Sequence, residues 1–289
     1  MLLAFAIILL CSSVVNADAG LLDKSLKNAV FYVPWKEQGS VIWSFNQKEW
    51  GTWNILGVGV NKVNFSAPTG TDWEYVYLAQ PQTSDSLEWM GGNHNNEVMK
   101  SLEFVIDGEV IKDGRHKVTD KLVINESTEL VYPKTKRVVG TVVRHYEINV
   151  NEPNVIRFSQ TTTWLDDMYV ERAYMCMLPI WKKHGSHFEM DGITGSFTDN
   201  IKTGQNKGWG KVTETLLYGD NGWGMIVGIK NLDSVDNYQY APKGAFIWDL
   251  AMDHVKIYYP RVYENGLTPV SAGTVWQSES YYIVVPVNK

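Results

Sequence analysis

His94 sits in the stretch Gly91-Gly92-Asn93-His94-Asn95-Asn96-Glu97, where two glycines free the backbone and three asparagines crowd one imidazole. Imidazole titrates near neutral pH and readily accepts a proton there. Arg144 with Tyr146, and Arg172 with Tyr174, form two pairs spaced by two residues in β-rich sequence. Alternate residues of a strand share a face, so each pair sets a guanidinium beside a phenol. An arginine on an apolar face needs a counter-charge, a bound anion or solvent. These residue types suit abstraction of a proton next to a carboxylate. Asn93 with Arg144 or Arg172 would neutralise that carboxylate, with Asn95 beside them in substrate binding. His94 would act as base, and Tyr146 or Tyr174 would return a proton to the leaving oxygen. His145 is the other candidate base, but in a regular strand it faces away from Arg144 and Tyr146. His94 is therefore favoured, arriving from its loop.

A second cluster runs His184-Gly-Ser-His187-Phe-Glu189-Met-Asp191. If 187–191 is extended, His187, Glu189 and Asp191 point to one side as an alternative metal site, but an exposed polar loop without metal is the favoured reading of the cluster. No Gly-x-Ser-x-Gly elbow, Walker loop or dinucleotide motif occurs. The carboxylates are scattered, without a local paired motif, which leaves a glycoside hydrolase open. No cofactor motif is present, and a calcium requirement stays open.

The elements that must carry these residues are strands. SVIWSF, WEYVYLA, SLEFVI, RVVGTVVRHYEINV, NVIRFSQTTTW, YVERAYMCMLPI, HVKIYYP and YYIVVPV are β-branched or aromatic runs bounded by Gly, Asn, Asp and Pro. Asp107-Gly108 predicts a two-residue hairpin turn. Helical periodicity occurs only weakly, around 95–103. Period-two reading puts Val170, Arg172, Tyr174, Cys176, Leu178 and Ile180 on one face. It also sets Arg144 and Tyr146 with Val142 and Ile148, and His145 on the reverse. The expected class is all-β, a large antiparallel β-sandwich or jelly roll forming a single domain over 20–289.

Residues 2–10 are an unbroken apolar run followed by small residues up to Ala17-Asp18-Ala19, which reads as a secretory signal peptide over 1–19. Export would remove Cys11 and leave Cys176 as a lone buried hydrophobe. No later run of apolar residues is long enough to span a membrane. The sequons at Asn64 and Asn125 would carry glycans in a eukaryotic host. A net charge of −6 argues against nucleic-acid binding. The 12 Trp and 15 Tyr supply rings on which sugars stack.

From about residue 29 to the end, strand pattern and residue kit resemble secreted β-sandwich and jelly-roll polysaccharide lyases of the alginate- and glucuronan-cleaving kind. The resemblance implies β-elimination on an acidic polysaccharide by a secreted monomer. The Arg-x-Glu-Leu-Arg, Gln-Ile/Val-His and Tyr-Phe-Lys-Ala-Gly strands of alginate lyases do not occur, so the roles above come from chemistry. The same inventory also fits a non-catalytic, lectin-like or adhesive protein.

Overall fold

A computed structural model of the protein describes residues 19–65, 72–190, 192–197, 205–210, 212–232, 245–250 and 254–287. All but Ala19 of the expected signal peptide lies outside them. The described residues form three antiparallel sheets, two of six strands and one of ten. The long sheet runs from Ile193–Ser196 through His187–Met190, Glu214–Tyr218, Trp223–Leu232, Val275–Pro286, Val155–Trp164, Arg137–Asn149, Lys121–Tyr132 and Glu97–Ile106 to Glu109–Val110. Its strands alternate buried and accessible residues, as a sheet covered on one face must. The fold is an all-β sandwich in which this sheet backs both shorter ones.

One short sheet contains Asn28–Trp35, Gly39–Gln47 and Trp53–Val60. It packs Phe45 edge-on against Tyr146 at 5.8 Å and Trp53 against Phe104 at 5.2 Å. The other short sheet has the order Gln205–Gly210, Ala245–Leu250, His254–Val270, Met168–Trp181, Val76–Pro81, Glu88–Met90. Its inner face docks through Tyr259, whose hydroxyl donates to the Val227 carbonyl at 3.1 Å, and Tyr77, whose hydroxyl lies 2.7 Å from Thr162 Oγ1. Cys176 belongs to this interior, and burial pushes its thiol up to about 12, so it stays a protonated hydrophobe.

Asp107 and Gly108 both have positive φ, 52° and 94°, and close the expected hairpin between Ile106 and Glu109. The weak helical period at 95–103 is overridden: Glu97–Ile106 is a strand bonded to Lys121–Tyr132.

Arg144 and Tyr146 share the inner face of the long sheet as expected, and both are buried between the sheets, away from the surface a polymer could reach. Arg144 is buried, with Nη2 on the Glu126 carboxylate and 3.7 Å from Glu97 Oε1. Tyr146 donates to Glu74 Oε1 at 3.1 Å. The same carboxylates bind the neighbouring sheet: Trp53 N–H donates to Glu126 at 2.8 Å and Ile55 N–H to Glu74 at 2.7 Å. Of the three partners open to Arg144, a counter-charge, a bound anion or solvent, the fold supplies the counter-charge, between the sheets where an unpaired guanidinium would cost most. His145 is on the outer face with its Nδ1 2.7 Å from Asn125 Oδ1.

The shared face expected over 170–180 also fails, because the strand Met168–Trp181 is bulged. Its register slips between Val170 and Arg172, between Ala173 and Tyr174, and between Tyr174 and Cys176. An extra residue reverses the facing of the residues beyond it. Val170, Ala173, Cys176, Leu178 and Ile180 enter the main core, whereas Tyr174 and Met177 join a separate aromatic cluster with Val76, Phe246 and Tyr263.

Candidate functional site

Cross-strand register lays that outer cluster out in rows. Trp248 pairs with Lys256 and Lys256 with Pro179; Phe246 pairs with Tyr258 and Tyr258 with Met177; Tyr263 pairs with Arg172, which also pairs with Leu78 beside Trp89. Tyr174 meets Tyr258 with ring centroids 4.7 Å apart, and Phe246 stacks on Tyr258 at 4.7 Å and 12°.

The His94 loop closes over one end of this face. Gly92–His94 is a single 3-10 turn, with Gly91 and Gly92 at φ 83° and 54° and Asn95 and Asn96 at 61° and 58°. Positive φ is least costly for glycine and is adopted by asparagine more readily than by most side chains, which accounts for their density here. A side chain on Gly92 would also lie 2.2 Å from Asp72 Oδ1. Asn93 donates its backbone N–H to Asp72, Asn95 accepts the Asn96 N–H at 2.6 Å, and the Asn96 amide donates to the Trp89 carbonyl at 2.8 Å. The loop is thus built by the Asn95 and Asn96 side chains and the Asn93 backbone, and neither Asn93 nor Asn95 lines the cavity beside it.

That cavity, of about 200 Å³, is lined by Asp72, Val76, Trp89, His94, Arg172, Tyr174, Met177, Trp248, Lys256 and Tyr258. His94, Arg172 and Tyr174 thus meet from separate segments. The His94 ring stacks on Trp89 at 4.8 Å and 19°, and Trp89 stacks on Tyr174 at 6.4 Å. Such contacts contribute about 0.5–1.5 kcal/mol each and fix ring orientation. Asp72 bridges the charged groups: its Oδ2 lies 3.6 Å from His94 Nε2 and 3.5 Å from Lys256 Nζ. Burial lowers the His94 pKa below the usual imidazole value; Asp72 opposes that and Lys256 adds to it. Burial also lowers the Lys256 ammonium, against the pull of Asp72, and raises Tyr258, which stays a protonated phenol. The result is a neutral imidazole, two cationic side chains and phenols in one aromatic-walled pocket.

Sequence reading missed Asp72, Trp89, Trp248, Lys256 and Tyr258. A usable signal was present in HVKIYYP, where Lys256 and Tyr258 alternate with inward Val255, Ile257 and Tyr259. Of the alternative metal set, His187 and Glu189 are on the accessible side of His187–Met190, His187 stacks on Tyr218 at 5.2 Å, and Asp191 lies outside the described residues. Among the described residues no three His, Cys, Asp or Glu side chains gather as a metal site.

No family model matches the chain, and no curated protein matches it. Solved structures do. GH36 α-galactosidase AgaB from Geobacillus stearothermophilus aligns with a TM-score of 0.55 and 9% identity, over 92% of this chain and 41% of that one. The α-galactosidase from Lactobacillus brevis gives 0.53 and 8%, over 86% and 38%. Heparan sulfate lyase HepC from Pedobacter heparinus gives 0.46 and 9%, over 91% and 36%. The chain spans about two-fifths of the length of these enzymes, and its likeness to the two galactosidases is one of fold.

Proposed function

We propose that the protein is a secreted, carbohydrate-active enzyme, a polysaccharide lyase that cleaves a uronate-containing polymer by β-elimination in the His94 cavity. The observation that carries this reading is the meeting of His94, Arg172 and Tyr174 with Lys256 in one aromatic-walled cavity. Arg172 and Lys256 receive the uronate carboxylate and stabilise the charge that spreads onto it as the C5 proton leaves. His94, held neutral, takes that proton. The C5–H electron pair forms the C4–C5 double bond, and the C4–O bond breaks. A phenol, Tyr258 or Tyr174, protonates the departing oxygen. Asp72 orients His94 and balances Lys256.

The stacked rings of Trp89, Tyr174, Tyr258 and Phe246 favour a second reading, a binding protein that holds sugars without cleaving them. Incubation with alginate, glucuronan, hyaluronan and ulvan separates the two. The lyase yields a product absorbing in the ultraviolet through its new double bond. Retention on a polysaccharide gel with no such product on any polymer would sink the lyase reading and support the second.

A further inference from the structure

Beyond the His94 cavity the same sheet carries a wider depression of about 860 Å³, lined by Gln80, Ser84, Asp85, Leu87, Glu171, Arg172, Gly266 and Leu267. Arg172 lines both spaces. The register runs from Pro179, paired with Lys256, to Tyr169, paired with Gln80. Eight paired steps separate them, Met175 and Glu171 being skipped at the bulges, and at about 3.3 Å per step that is roughly 26 Å, longer than one sugar ring.

The two spaces differ in charge. The cavity sets Lys256 and Arg172 against one carboxylate, Asp72. The open depression sets Asp85 and Glu171 against Arg172 alone, with Glu171 Oε1 3.9 Å from Arg172 Nε. Glu171 is skipped by the register at the first bulge, which brings it to the rim beside Arg172. A uronate placed there would meet two like charges, a juxtaposition interfaces use to reject wrong partners. An uncharged sugar fits that lining: the Asp85 and Glu171 carboxylates accept from hydroxyls, and Leu87 and Leu267 cover the apolar ring face.

We infer that the open depression is a second sugar subsite, selective for an uncharged unit, so that the preferred polymer joins a uronate to a neutral sugar. This rests on the lyase reading and specifies its substrate class. The test compares kcat/KM of the full chain on glucuronan, a uronate homopolymer, and on a polymer in which uronate alternates with an uncharged N-acetyl sugar. It repeats both with the double variant Asp85→Asn, Glu171→Gln. The wild type is expected to favour the alternating polymer at least about tenfold, and the variant to narrow that gap by gaining on glucuronan. Equal or better turnover of glucuronan by the wild type overturns the subsite, as does a gap unchanged in the variant; the lyase reading survives either. Absence of unsaturated product from every polymer instead removes the lyase reading, and the subsite with it.

Discussion

His94 gains its proposed role from neighbours more than from its own chemistry. Burial and the Lys256 charge disfavour the imidazolium, so the neutral, proton-accepting form persists into mildly acidic solution. The acidic limb of kcat/KM is therefore expected below the ordinary imidazole value of about 6.5, activity falling as pH drops through it. Replacing Lys256 by Met removes a cation that holds the imidazole neutral, and should move that limb upward. An acidic limb at or above the ordinary value in wild type would contradict the assignment. Arg172→Gln should raise KM about 10–100-fold, the effect of losing one charge-assisted hydrogen bond. His94, Arg172 and Tyr174 were legible in the sequence because their types suit one reaction. Asp72 and Lys256 were not, since a buried lysine and its carboxylate are meaningful only as a pair, and these two lie far apart along the chain.

At the scale of elements, bulges and a tight turn decide what reaches the cavity. A period-two reading succeeds over residues 142–149, where Val142, Arg144, Tyr146 and Ile148 share the buried face, but not for Val138, expected on that face: the register slips there and Val139 takes the buried place. It fails over Met168–Trp181, because each skipped residue reverses the facing and nothing local in YVERAYMCMLPI announces where. The His94 loop gives a sharper test. Gly92→Ala forces a left-handed conformation costing about 1–2 kcal/mol and sets a methyl group against Asp72. Turnover should fall together with the unfolding midpoint. Val110→Thr, at an exposed edge site far from the cavity lining, should leave both unchanged. Turnover of Gly92→Ala equal to wild type would show that the loop does not position His94.

Across the whole molecule, the polar network between the sheets separates stability from chemistry. Arg144→Ala leaves Glu126 and Glu97 buried without their cation and should cost about 3–5 kcal/mol in urea unfolding, while residual folded protein keeps its KM. Burial raises the Glu126 carboxyl to about 7, opposed by Arg144 and reinforced by Glu97. The folded state then binds more protons than the unfolded one between pH 4.5 and 7, so this group makes stability fall as pH rises through that window. Glu126→Gln should abolish that slope, on the order of 1–3 kcal/mol; an unchanged slope would place the titration elsewhere. The all-β class was readable from strand runs and turn residues. The sharing of one ten-stranded sheet by two shorter sheets was not, because strand partners such as Val155–Trp164 and Val275–Pro286 lie far apart in sequence. On the lyase reading this scaffold delivers His94 as the base of an elimination. The most direct test of that role is the rate of unsaturated product formed by wild type and by His94→Ala on the best uronate polymer, with unfolding midpoints measured alongside. A loss of about 10²–10⁴-fold at unchanged midpoint is predicted. Turnover by the folded variant equal to wild type would remove His94 from that role.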